Sequence, residues 1–134
     1  MMITRETDYA LRILRALTDG ELHTVGQISK AEFLPQAFAY KILKKLEKAK
    51  LIEVIRGTAG GCRLSADLSK VSLYDLMMAT GERSNLSSCM DPKFQCPWRD
   101  CHQGCKVHHN LVEIQETVDR ELRSHNLRAI LTGR

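Results

Sequence analysis

PQAFAYKILKKLEKAKLIEVIRGTAGGCRLS runs from Pro35 to Ser65, and the period of its apolar residues changes halfway along. In the first half Phe38, Ile42, Leu43 and Leu46 recur at helical spacing, so these four are expected to face a core. Pro35 suits the first turn of that helix, where its missing N–H has no intrahelical partner to lose. The same spacing turns Gln36, Ala37, Tyr40, Lys41, Lys44 and Lys45 mainly outward. In the second half two short β-prone runs, Leu51–Arg56 and Cys62–Leu64, flank a Gly-rich turn, which predicts a hairpin. Charge concentrates in the same stretch. Lys41, Lys44, Lys45, Lys48, Lys50, Arg56 and Arg63 are opposed only by Glu47 and Glu53, a local +5 that exceeds the +4 of the whole chain.

Upstream, ITRETDYALRILRALTD (residues 3–19) places Ile3, Ala10, Ile13, Leu14 and Leu17 largely on one helical face, with Gly20 to end the helix. Thr24 and Gln27 have capping-box spacing, so a second short helix is expected from Val25. Three helices followed by a hairpin is the order of a winged helix-turn-helix domain. There the third helix enters the major groove of double-stranded DNA and the hairpin lies along the backbone. Base discrimination then falls to the start of the third helix. Gln36 offers an amide for bidentate pairing, Lys41 a cation for purine acceptors, and Tyr40 a contact to a phosphate or a thymine methyl. Lys44 and Lys45 suit phosphates, and Arg56, just before the wing turn, suits the minor groove.

Downstream, VSLYDLMMATG (residues 71–81) reads as a helix capped by Ser72, with Gly81 beyond its end. Residues 82–105 lack a sustained period, contain Pro92 and Pro97, and read as a loop. A long helix is expected from Lys106, with Val107, Leu111, Ile114, Val118 and Leu122 forming a narrow apolar seam. Such a seam suits packing against the same helix of a second subunit, so a homodimer on a roughly palindromic site is expected. The predicted organisation is a winged helix-turn-helix domain over 1–81, a Cys-rich loop over 82–105, and a dimerisation helix and tail over 106–134. No apolar run approaches the roughly 18–20 residues of a membrane span, and the charged N-terminus is unlike a signal peptide. A cytoplasmic protein without membrane association is expected.

Four of the five cysteines fall in the loop, as Cys89-x6-Cys96-x4-Cys101-x3-Cys105-x2-His108-His109. In a reducing cytosol such thiols are more often metal ligands or redox groups than disulfides. Structural zinc sites generally use tighter pairs. A flexible loop with widely spaced thiolates suits a larger object, an iron–sulfur cluster. A zinc site of Cys96, Cys101, Cys105 and His108, and free thiols or a thiol–disulfide switch, are the alternatives. Neither a nucleophile–base constellation nor a C-x-x-C pair is present, so an enzyme is not expected.

TDYALRIL (7–14), KILKKLEKAKLIEVIRGTAGGCRLS (41–65) and CKVHHNLVEI (105–114) together resemble the IscR/NsrR-type repressors of the Rrf-two family, over nearly the whole chain. The most specific element is the wing pattern R-G-x-x-G-G-x-x-L, here Arg56, Gly57, Gly60, Gly61 and Leu64. The resemblance implies a dimeric winged-helix transcriptional repressor. Its DNA affinity would be gated by a 2Fe-2S or 4Fe-4S cluster near the dimer interface, sensing redox change, iron or iron–sulfur status, or nitric oxide. It also implies Cys89, Cys96 and Cys105 as three ligands, and either His108 or Asp8 of the partner subunit as the fourth. Cys101 is an extra thiol that either replaces Cys96 or Cys105 or completes an all-Cys set. Two positions depart from the family pattern. Cys62 stands where the wing usually has an aromatic and is expected to be a small, partly buried wing residue. Tyr40 stands where the third helix usually has an acidic or polar residue, so the recognised sequence is expected to differ. A cluster-free or zinc-binding regulator of the same fold, acting in cysteine metabolism or as a thiol switch, is the alternative.

Overall fold

The computed structural model of the protein describes residues 2–81 and 84–133. Helix α1 (Arg5–Ala16) begins at Thr4, whose hydroxyl accepts a hydrogen bond from the Thr7 amide at 3.3 Å and satisfies one free donor of the first turn. Its apolar stripe of Ala10, Ile13 and Leu14, continued by Leu17, is fully buried. Helix α2 (Val25–Glu32) opens with the capping box expected from the sequence. Thr24 Oγ1 accepts from the Gln27 amide at 3.1 Å, and Gln27 Oε1 accepts from the Thr24 amide at 2.9 Å. At Phe33, with φ of 56°, the chain leaves α2 and turns through Pro35 into α3 (Gln36–Lys48).

Ile42, Leu43 and Leu46 of α3 are buried as expected, each such burial contributing about 1.5–3 kcal/mol. Phe38 is a correction. Expected in the core, it is 40% exposed, and Ala39 takes the buried position. Positions 39, 42, 43 and 46 form the tighter i, i+3, i+4, i+7 stripe. Phe38 lies about 100° round the helix from Ala39 and rests edge-on against Tyr9 of α1, with ring centroids 5.8 Å apart.

Strands β1 (Ile52–Ile55) and β2 (Gly61–Leu64) pair antiparallel, Ile52 opposite Leu64 and Val54 opposite Cys62. Alternation sends these four side chains to the face turned toward the helices. Glu53 and Arg63 occupy the open face, where they pair at 3.0 Å. Gly61 has no room for a side chain, since a Cβ would stand 2.6 Å from the His23 carbonyl oxygen. That closeness follows from a bridge in which His23 and Cys62 exchange backbone hydrogen bonds of 3.0 and 2.8 Å. The wing is thereby tied to the chain just ahead of α2.

Helix α4 (Leu73–Thr80) is reciprocally capped by Ser72 and Asp75 and stops at Gly81. In the interior the Thr80 and Thr7 hydroxyls share a 2.7 Å hydrogen bond. The loop expected from 82 opens with Glu82 and Arg83, which lie outside the described residues. From Ser84 it contains a 3-10 turn at Ser88–Met90 and a four-residue helix α5 (Pro97–Asp100). Helix α6 (Lys106–Ser124) begins at Cys105 and runs for 19 residues. Beyond it the expected tail contains a further helix, α7 (Leu127–Thr132). Hydrogen bonds from Leu127 N to Val71 O at 2.8 Å and from Leu73 N to His125 O at 2.9 Å stitch it to the start of α4, and Leu127 is buried in the main core. The architecture is mainly helical with one antiparallel hairpin among the described residues: a winged helix-turn-helix domain carrying a long C-terminal helix.

Candidate functional site

Helix α3 turns two faces outward. Gln36, Tyr40, Lys44 and Glu47, about one turn apart, line an open groove of 610 Å³ between α3, the start of α2 and the wing. Arg56, Gly57 and Thr58 lie across it, with Leu43 and Val54 also lining it. Ala37 is exposed beside Gln36 in the first turn of α3. Lys41 and Lys45 follow Tyr40 and Lys44 by one residue, about 100° round the helix, and reach toward α1 instead. Both pair with the Glu6 carboxylate, Lys41 at 2.6 Å. Lys45 also donates to the Thr80 carbonyl at 2.9 Å. Lys41, and then Lys45, hold the Glu6 carboxyl below the usual carboxylate range. Gln36, Ala37, Tyr40, Lys44 and Arg56 thus stand open at or beside the groove, while Lys41 and Lys45 are engaged on its α1 flank.

At the root of α6 two candidate ligands, Cys89 and His108, meet through their side chains, and Cys105 caps the helix beside them. His108 Nδ1 lies 3.2 Å from Cys89 Sγ, and the His108 amide donates to Cys105 Sγ at 3.4 Å. Ser87 donates its hydroxyl to Cys89 Sγ at 3.3 Å. Arg99 Nη1 approaches the far imidazole nitrogen, His108 Nε2, at 3.5 Å. Cys96 and Cys101 flank the short helix α5, Cys96 half-buried before it and Cys101 exposed after it. Next to them His102 stacks on Trp98 at 3.9 Å. Among the described residues no three potential ligands stand already assembled around one point fit for a metal ion. Asp8 lies on α1, paired with Arg12 at 3.1 Å. Cys62 is buried in the wing with its Sγ 3.5 Å from the His23 carbonyl, and burial pushes its thiol pKa up.

Sequence reasoning missed Gln115, and its polar neighbour four residues on was the available signal. Both Gln115 and Asp119 are buried on α6, and buried polar groups must be paired. Gln115 Oε1 accepts from the Leu86 amide at 2.7 Å, while its Nε2 donates to Ser84 O at 3.3 Å and to Asp119 Oδ1 at 2.9 Å. The side chain clasps the first described residues of the Cys-rich loop to the middle of the long helix.

A helix-turn-helix with a wing, and a groove between them rimmed by amide, phenol and cationic groups, defines a DNA-binding transcriptional regulator. Residues 3–133 match the Rrf2 family, described as an iron-dependent transcriptional regulator, and the chain belongs to that family. It is 30% identical over 139 residues to the HTH-type transcriptional regulator NsrR of Geobacillus kaustophilus, covering all of this chain and 92% of that one. It is 31% identical over 94 residues to the NsrR of Bacillus subtilis, a stretch that covers 68% of this chain and 64% of the relative's length. The fold superposes on CymR, the global cysteine regulator of B. subtilis, with a TM-score of 0.72 at 19% identity, over 100% of this chain and 98% of that one. Among the described residues no helix is long and apolar enough to cross a membrane.

Proposed function

We propose that this protein is a cytoplasmic transcriptional repressor whose affinity for a palindromic operator is gated by an iron–sulfur cluster at the root of α6. The observation that carries this reading is the approach of His108 Nδ1 to Cys89 Sγ at 3.2 Å, beside Cys105 at the N-cap of α6. The donor chemistry fits. The Cys89 thiol and the His108 imidazole meet near the amide end of a 19-residue helix capped by Cys105, where the free N–H groups favour negative charge. Cys89, Cys105 and His108 would hold the group, with Cys96 or Cys101 as a further thiolate and Asp8 of the partner subunit as the alternative to His108. When bound, such a cluster supplies iron that responds to redox state, iron supply or nitric oxide.

The chain's own residues supply the coupling. Gln115 fastens the segment leading to Cys89 onto α6, so a shift in the loop is felt by the helix. On α6 the seam is partly open, with Val107 67% and Ile114 51% exposed and Leu111, Val118 and Leu122 half-buried, an apolar strip suited to the same helix of a second subunit. The α6 pair would then set the spacing of two α3 helices on a palindrome. Gln36, Ala37 and Tyr40 read bases, Lys44 meets phosphate and Arg56 enters the minor groove, while Lys41 and Lys45 are held on the flank by Glu6. A metal-free thiol switch is the second reading, favoured by the exposed Cys101 and by the absence of an assembled ligand set among the described residues.

Anaerobic reconstitution followed by iron and acid-labile sulfide analysis separates the two. The cluster reading expects stoichiometric iron and sulfide and visible absorption that is lost in Cys89→Ala and Cys105→Ala and kept in Cys62→Ala. Protein that retains neither iron nor sulfide would overturn it.

A further inference from the structure

We infer that Glu6 tunes the strength of DNA binding by holding Lys41 of the recognition helix away from the phosphate backbone. The inference rests on α3 being the DNA-reading helix. Lys45 has two anchors, the Glu6 carboxylate and the Thr80 carbonyl at 2.9 Å, and Thr80 ends α4, where the helix dipole also favours a cation. It stays in place without Glu6. Lys41 is held differently. Among the described residues its one ionic partner is Glu6, at 2.6 Å, and its side chain is 55% exposed. It is the residue after Tyr40, which lines the groove, so a flexible stem released from Glu6 can turn toward the groove side of the helix. An arriving phosphate and the Glu6 carboxylate therefore compete for one ammonium.

Which quantity this contact governs follows from magnitudes. A partly exposed ion pair, with Glu6 25% and Lys41 55% exposed, contributes modestly to folding. A cation that neutralises a phosphate releases counterions, and each such contact steepens the dependence of log affinity on log salt by about 0.9. Removing the Glu6 charge should lower stability modestly and add one phosphate contact per subunit.

The test is a salt titration of the full-length protein on a labelled duplex by fluorescence polarisation. For Glu6→Gln the low-salt affinity is expected to rise by about threefold to tenfold, and the salt slope to steepen by about 1 per subunit. Adding Lys41→Met to that variant is expected to return the slope to the wild-type value. Lys41→Met alone, which does not depend on how Glu6→Gln folds, is expected to leave the slope unchanged because Glu6 already holds that ammonium away from the phosphates. An unchanged slope in a folded Glu6→Gln protein overturns the inference, as does weaker binding, which would make Glu6 a residue that aims Lys41 at DNA. A shallower slope in Lys41→Met alone overturns it too. Wild-type protein that binds no duplex at low salt would instead remove the DNA-reading role of α3.

Discussion

Cys62 and Cys101 carry the same thiol in opposite surroundings. Cys62 is buried beneath the wing, where burial raises its pKa, and Cys101 is exposed at the end of α5. The thiolate is the reactive form, so burial slows Cys62 twice, by blocking access and by disfavouring its ionisation. Brief alkylation of cluster-free protein at neutral pH, read by peptide mass spectrometry, is expected to label Cys101 first and Cys62 last. Equal rates at the two would contradict the buried wing role. The sequence placed Cys62 as a small, partly buried wing residue, and packing beneath the wing buries it fully, at 1% exposure. The ion pair of Lys41 with Glu6 was not legible in the sequence, because the two are far apart in the chain and meet only when α1 packs on α3. Cys89 and His108 posed the same problem. Spacing named both as candidates, but their approach to 3.2 Å depends on how the loop folds back on α6.

Helix boundaries set by local chemistry could be read directly. The Thr24 and Ser72 caps act within three residues of their partners, and both helices start where the sequence placed them. Helix α7 could not. It has only six residues, too short to be stable alone, and it forms because Leu127 is buried in the core. Phe38 shows the limit of periodicity at the edge of a stripe, where Ala39 next to it does the packing. The loop and α6 are joined by Gln115, and a substitution tests that clasp. Gln115→Ala removes the partners of the Leu86 amide and the Ser84 carbonyl, each worth about 1–3 kcal/mol if left buried and unpaired. Amide hydrogen exchange is expected to accelerate over residues 84–90 and to stay unchanged in the wing. Wild-type protection across the loop would show that Gln115 is not its anchor.

Across the whole molecule the candidate DNA groove is built by α2, α3 and the wing, and the Cys89–His108 contact by the start of α6 and the loop before it. Their order along the chain was legible, because three amphipathic helices, a Gly-rich hairpin and a long seam each carry their own period. The completing ligand and the covering of the seam were not, because the candidates include groups on a second subunit, and a single sequence holds no register between chains. Coupling between the two sites requires that one cluster state favour one spacing of the recognition helices. The most direct measurement is the affinity of cluster-loaded and cluster-free protein for the same selected operator, anaerobically and at one salt concentration. The expected result is a difference of about tenfold or more, equivalent to about 1.4 kcal/mol of coupling. Equal affinities in the two states would contradict cluster-gated DNA binding.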